Sequence, residues 1–409
     1  MKTAALQAAQ DVWLPAAEKG TRGPAHALAV TKGLIDLVNG ASLAEETALE
    51  EVVAEWQKEK RLSQVVVQML WEVLQGKHGG GSDDKRAAVA LLDMAGAADP
   101  SLLRHRMDVL IAQLAKGAAA HLPTCRHACG ALQKVAAAGP PLATAERRSL
   151  LRALENLLLG APPAAQAEAW YGAAQQALNT AFAVCDDPLE WSSELLRQSG
   201  EKATTPTDDA DGNPTVCSAA LGRHLFAVGH TALKSLVHIE AYERSLAARA
   251  HADREEMAAA GGAPKAAAKK PAKGKGKKAA DDDEIDYKEG ENDGDEEADA
   301  TARELGTAAA AAEADSDALL AMGDRVMAAD GLIGRWAPLV VAVVTNADGH
   351  FPAALRASAV AALVKFMCVS ASFCEGHCQV GCRAPRNPLS RITPHPRLPR
   401  AAHPRLLHV

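Results

Sequence analysis

The chain has 409 residues, enough for two or three domains or for one elongated repeat array. Aromatic residues make up 3% of it and hydrophobic residues 48%, which excludes the aromatic and β-branched strands of a sandwich or barrel and leaves ample material for a helical core. A net charge of −7 is too mild for wholesale coating of nucleic acid or of an anionic membrane, so any such contact must be local.

The opening MKTAALQAAQDVWLP has no continuous apolar stretch before Asp11, unlike a secretory signal. The most apolar run, Leu339 to Val344, is far shorter than the roughly 20 residues of a membrane span. Eight cysteines, four scattered and four near the end, suit a reducing compartment better than a disulfide framework. The expectation is a soluble intracellular protein.

Residues 1–25 are read as an N-terminal segment and residues 26–257 as helical repeats. Ser42-Leu43-Ala44-Glu45 has the capping-box pattern of a helix start, and that helix should meet a second one near Lys60 and Arg61. In the second, Leu62, Val65, Val66, Met69, Leu70, Val73 and Leu74 recur at helical spacing and predict one apolar stripe ending at Gly76. Helix starts at Ser42, Ser82, Pro123 and Pro162 are 39 to 41 residues apart, with breaks at Asp99-Pro100, Gly139-Pro140-Pro141 and Asp187-Pro188 between them. One helix pair cannot bury its own apolar face, so a pair recurring at about 40 residues reads as a HEAT or armadillo-like α-solenoid. An irregular helical bundle is the competing reading.

A polar loop, Thr204 to Pro214, precedes a long helix from about Val216 to Ala252, with Leu221, Leu225, Val228, Ala232, Leu236 and Ile239 on one side. Residues 258–312 change character: Lys265, Lys269, Lys270, Lys273, Lys275, Lys277 and Lys278 sit among Ala, Gly and Pro, and a block of acids follows. Neither block has the apolar content for a core, which predicts a disordered Lys-rich and then acidic linker. Repeats should resume over 313–380, with a single helix from about Pro352 to Cys374, before an Arg, Pro and His rich tail at 381–409 whose prolines block regular helix.

Three stretches taken together resemble the condensin complex subunit 1 family: LGRHLFAVGHTALKSLVHIE from Leu221, GLIGRWAPLVVAVVTN from Gly331 and LRASAVAALVKFMCVSASFCEGH from Leu355. The charged linker falls between the first and second, where that family carries a variable acidic segment. Family members are much longer and continue with a Leu-rich helix where this chain turns into its tail, so the chain resembles an internal portion. The resemblance implies an all-α HEAT-repeat fold and a non-enzymatic structural subunit for mitotic chromosome condensation. It also implies kleisin and SMC ATPase partners, contact with DNA or chromatin, and a place in the nucleus and on mitotic chromosomes, with cytoplasm in interphase. No cofactor, membrane or small-molecule substrate is implied. Gly229, His230, His238, Glu240, Arg356, Lys365, Phe366, Met367, Cys368, Phe373 and Cys374 then belong to helices that pack repeats together.

Other chemistry is thinly supported. Cys368, Cys374, Cys378 and Cys382 with His377 offer zinc-ligand chemistry without a finger spacing, and Cys125 and Cys129 read as packing on a helix. His224, His230 and His238 lack an H-E-x-x-H pattern, Gly79 to Gly81 lack a following Gly-Lys-Ser/Thr, and Asp209, Asp211 and Asn213 lack the closing Glu of a calcium loop. Lys265 to Lys278 are candidates for salt-sensitive DNA binding or nuclear localisation, against a spacer neutralised by the adjacent acids. Arg356 and Lys365 are nine residues apart, two and a half turns, and should leave their helix on opposite sides. The alternative function is another helical-repeat adaptor, such as a nuclear transport receptor or a general scaffold.

Overall fold

The computed structural model describes residues 24–208, 214–260, 322–346 and 349–383. Helices dominate them. In chain order these are α1 (Pro24–Asn39), α2 (Leu43–Lys58), α3 (Gln64–Leu74), α4 (Ser82–Gly96), α5 (Pro100–Arg104), α6 (Met107–Leu114), α7 (Leu122–Ala138), α8 (Thr144–Leu159), α9 (Ala167–Val184) and α10 (Pro188–Thr204). The long α11 (Ser218–Ala260) follows, then helical residues 322–327, α12 (Ala337–Thr345), α13 (Ala353–Val369) and α14 (Ala371–Arg383).

Local sequence explains many of the boundaries. The Ser42 backbone N–H and hydroxyl both donate to Glu45 Oε2, at 2.8 and 2.7 Å, at the start of α2. Asp99 and Asp187 each accept a backbone N–H from the first turn of a helix opened by proline, Ser101 at 3.2 Å and Glu190 at 3.0 Å. At the end of α3, Gly76 takes φ 81°. Its N–H reaches Val73 O and the Lys77 N–H reaches Glu72 O, both at 2.9 Å, a Schellman closure that needs the left-handed residue.

The helices stack in a layer built from α4, α7, α9, α11 and α13. Contacts advance in step along both partners: Arg126 meets Gly172 and Gln133 meets Gln176, while Tyr171 meets Phe226 and Phe182 meets His238. Gly222 meets Leu355, and Gly229 meets Ala362. Thus α7, α9, α11 and α13 run parallel, as equivalent helices of successive repeats must. Near the middle, Ala87, Ala88, Val89, Ala90, Leu91 and Leu92 of α4 are all buried, the pattern of a helix covered on every side. One core cluster runs from Ala27 to Leu195 and a second from Leu196 to Val369, meeting within α10. The expected all-α repeat solenoid is the observed architecture.

Several details differ from the sequence reading. The unit expected to start at Pro162 begins with a single turn, Ala164–Gln166, before α9 starts at Ala167. Val65 is 50% exposed and does not join the α3 stripe, because Val66, Leu70, Val73 and Leu74 already fill the buried side. The polar loop after α10 contains two residue pairs in antiparallel bridge, Thr207–Asp208 with Pro214–Thr215. α11 extends to Ala260, past the expected boundary at 257, and α14 reaches Arg383, past the expected tail boundary at 381.

The helix expected from Pro352 to Cys374 is broken at Ser370, which is extended (φ −136°, ψ 124°). Ser370 Oγ accepts the Phe373 N–H at 3.1 Å and donates to Asp324 at 2.5 Å, so it acts as a cap that restarts the chain as α14. Phe373 and Cys374 therefore lie on a different helix from Phe366, Met367 and Cys368. The Lys265 to Lys278 run, the Asp209, Asp211 and Asn213 loop and most of the tail lie outside the described residues.

Candidate interaction face

One side of the layer carries a line of side chains that reach from helix to helix. At its α2, α4 and α7 end the groups are charged and matched. Lys134 of α7 donates to Asp93 of α4 at 2.8 Å and to Glu50 of α2 at 3.0 Å, and Arg86 of α4 pairs with Glu46 of α2 at 2.6 Å. Burial works against the Lys134 ammonium, but Asp93 and Glu50 outweigh it and hold its pKa above the ordinary lysine value. Lys134, Asp93, Glu50 and Glu46 edge a hollow of about 270 Å³ that Arg126, His127 and Gln176 also line.

Between the ends the line is uncharged. Gln133 donates to Gln176 Oε1 at 2.8 Å, Thr180 donates to Cys129 O at 3.0 Å, and His230 donates to Asn179 Oδ1 at 3.0 Å. The His230 ring also lies parallel to Phe226, 5.9 Å away. Burial first, then the nearby Lys365 and Lys234, push the His230 pKa down to about 4, so the ring is neutral at physiological pH.

At the α9, α11 and α13 end, cations sit on aromatic rings of the neighbouring helix. Arg223 Cζ is 5.9 Å from the Trp170 ring centre, Lys234 Nζ is 6.0 Å from Phe182, and Lys365 Nζ is 5.2 Å from Phe226. Such contacts contribute about 0.5 to 2 kcal/mol each, depending on how far they are desolvated. Among the described residues none of the three cations has a carboxylate within 4.0 Å. Burial lowers the pKa of both Lys234 and Lys365, and among the described residues no acid offsets it.

Close backbone approach makes this end possible. A Cβ added to Gly229 would stand 2.9 Å from Ala362 Cα and 3.3 Å from Lys365 Cδ, so glycine lets α11 and α13 touch and lets the Lys365 stem cross the joint. Of the other residues singled out in the sequence, Phe366 is fully buried and meets Phe373 edge-on at 5.8 Å. His238 sits edge-on to Phe182 at 6.2 Å, Met367, Arg356 and Cys374 are half-buried, and Glu240 and Cys368 are exposed. The face thus takes in Gly229, His230, His238 and Lys365, while Phe366 and Phe373 belong to the core behind it.

The sequence reading missed Arg223, Phe226, Lys234 and the aromatic side chains of α9. Arg223, Phe226, His230 and Lys234 recur at three- and four-residue steps, which was the available signal. The cysteines offer nothing comparable. Burial pushes the Cys125 thiol up to about 12 and the Cys129 thiol higher still. Among the described residues no three His, Cys, Asp or Glu side chains gather as metal ligands, and no helix is long and apolar enough to cross a membrane.

No protein-family model matches the chain. Condensin complex subunit 1 of Schizosaccharomyces pombe is 26% identical to it over 393 residues, covering 89% of this chain and 31% of that protein. The Xenopus laevis protein of the same name is 23% identical over 249 residues, 59% of this chain and 18% of that protein. The Saccharomyces cerevisiae one is 22% identical over 242 residues, 52% of this chain and 20% of that protein. The chain therefore spans less than a third of the length of these relatives. Similarity to relatives of the same name from three organisms shows that this chain is related in sequence to condensin complex subunit 1, along a part of that protein.

Proposed function

We propose that the chain is a non-enzymatic structural part of a condensin complex. In this reading its repeats hold the kleisin and SMC ATPase subunits and lie near DNA during mitotic chromosome condensation, in the nucleus and on chromosomes. The observation that carries it is the coincidence of the sequence similarity with one continuous helical layer. The matched stretches fall on α11, on α12, and on α13 with the start of α14, and α11 touches α13 at Gly229 although residues 261–321 lie between them in the chain. A layer continuous across an insertion presents one surface rather than two, which suits a subunit that holds partners by area.

The test is co-purification of the full chain with a condensin kleisin expressed beside it. Stoichiometric recovery through gel filtration is expected. Failure to recover kleisin, together with absence of the protein from condensin immunoprecipitates, would replace this reading with a general helical-repeat adaptor. For the lysine run, we propose sequence-independent contact with DNA or a nuclear import signal. Replacing Lys265, Lys269, Lys270, Lys273, Lys275, Lys277 and Lys278 by Gln should spare kleisin recovery while reducing low-salt DNA retention or nuclear accumulation.

A further inference from the structure

The cationic end of the layer has an unusual charge balance. Arg223, Lys234 and Lys365 are half-buried, held over aromatic rings, and have no carboxylate partner among the described residues, whereas Arg86 and Lys134 at the other end are matched by Glu46, Glu50 and Asp93. Half-buried ammonium groups without counter-charge have lost part of their hydration and received nothing ionic in return. An anion placed against them would meet fixed, partly desolvated donors, since the aromatic contacts already hold the lysine stems in place.

The same end is not purely polar. Val237 follows Lys234 by three residues on α11 and is 46% exposed, and Val364 adjoins Lys365 on α13 and is 50% exposed. Tyr242, further along α11, is 50% exposed. Phosphate backbones make no use of exposed aliphatic groups beside the cations, whereas a peptide with alternating acidic and aliphatic side chains uses both.

We propose that the α11 and α13 stripe formed by Arg223, Lys234, Val237, Val364 and Lys365 docks an acidic peptide segment with aliphatic side chains. Its carboxylates pair with the three cations, and its aliphatic groups cover the valines. This deepens the scaffold reading and rests on it only for the natural source of the peptide.

The experiment measures fluorescence anisotropy of a fluorescein-labelled synthetic peptide of Glu and Leu titrated with the full chain, beside a poly-glutamate peptide of equal length and a short DNA duplex. The Glu and Leu peptide should bind more tightly than poly-glutamate. Lys234→Glu with Lys365→Glu should weaken it by about tenfold or more, since like charges then face the carboxylates. Lys58→Glu, on an exposed and distant helix end, should leave it unchanged. Because the two lysines are half-buried, Lys234→Gln with Lys365→Gln and the surface change Val237→Ser supply milder variants, each expected to weaken binding severalfold with an unchanged melting curve.

Binding of the Glu and Leu peptide that ignores all of these variants would overturn the proposal. So would a DNA duplex that binds more tightly than the peptide and loses affinity with the same variants, which would make the stripe a phosphate surface. The kleisin co-purification separates the two levels of the argument. Peptide binding that ignores the variants sinks the docking stripe alone, and kleisin not recovered by the unaltered chain sinks the condensin reading while the peptide titration still stands.

Discussion

The two ends of the layer solve the same packing problem with different chemistry. Around α2, α4 and α7, neighbours are held by opposite charges across the joint, and Lys134 reaches two carboxylates at once. Around α9, α11 and α13 the joint is held by the bare backbone of Gly229, by aromatic edges and by cations lying on rings. In the first, Arg86 and Lys134 each have a carboxylate partner. In the second, among the described residues, no carboxylate pairs with Arg223, Lys234 or Lys365, so close packing rather than ion pairing keeps it together.

If that contrast is right, the C-terminal joint should be far more sensitive to volume and burial than to charge. Leu225 is fully buried in α11, and Leu225→Asp should cost several kcal/mol by burying an unpaired carboxylate. Thermal denaturation followed by circular dichroism should then show the C-terminal part melting early or not forming. The same change at the exposed Val237 should shift the melt by little.

Phe366 is fully buried between α13 and its neighbours, and Phe366→Ala should cost about 3 to 5 kcal/mol by leaving a cavity. Urea unfolding should show a lower midpoint. A loss below about 1 kcal/mol would mean that the second core is loosely packed and that the contrast between the ends is overstated.

Acid should also act on the C-terminal end. His224 has its pKa pushed down to about 4 by burial, and its ring meets Trp336 at 4.4 Å. His230 is lowered to a similar value. Both groups are neutral in the fold, and the unfolded chain takes up protons first as pH falls. Stability is therefore full above the ordinary histidine pKa of about 6.5 and declines as pH falls from there toward about 4. Urea midpoints at successive pH values should show this decline, by at most about 3 kcal/mol for a group as buried as His224. His224→Phe should flatten part of it.

The smallest expected effect is at the charged end. Lys134→Met removes two ion pairs from a partly exposed site and should cost about 1 kcal/mol, less at high salt. A larger loss, insensitive to salt, would show that the matched charges carry the N-terminal joint as packing carries the other.

Helix type, the recurring interval near 40 residues, the Ser42 capping box, the breaks at Asp99-Pro100 and Asp187-Pro188, and the resemblance to condensin complex subunit 1 were all legible in the sequence alone. They depend on residues close together in the chain, where periodicity and caps act within one or two turns. What only the tertiary structure decided is which side of each helix meets a neighbour. It left Val65 outside, let Asp324 and the Ser370 hydroxyl break a helix that spacing alone would have continued, and laid Lys365 over Phe226 from more than a hundred residues away. Those outcomes rest on contacts between distant segments, which a one-dimensional pattern does not encode until the helices have stacked.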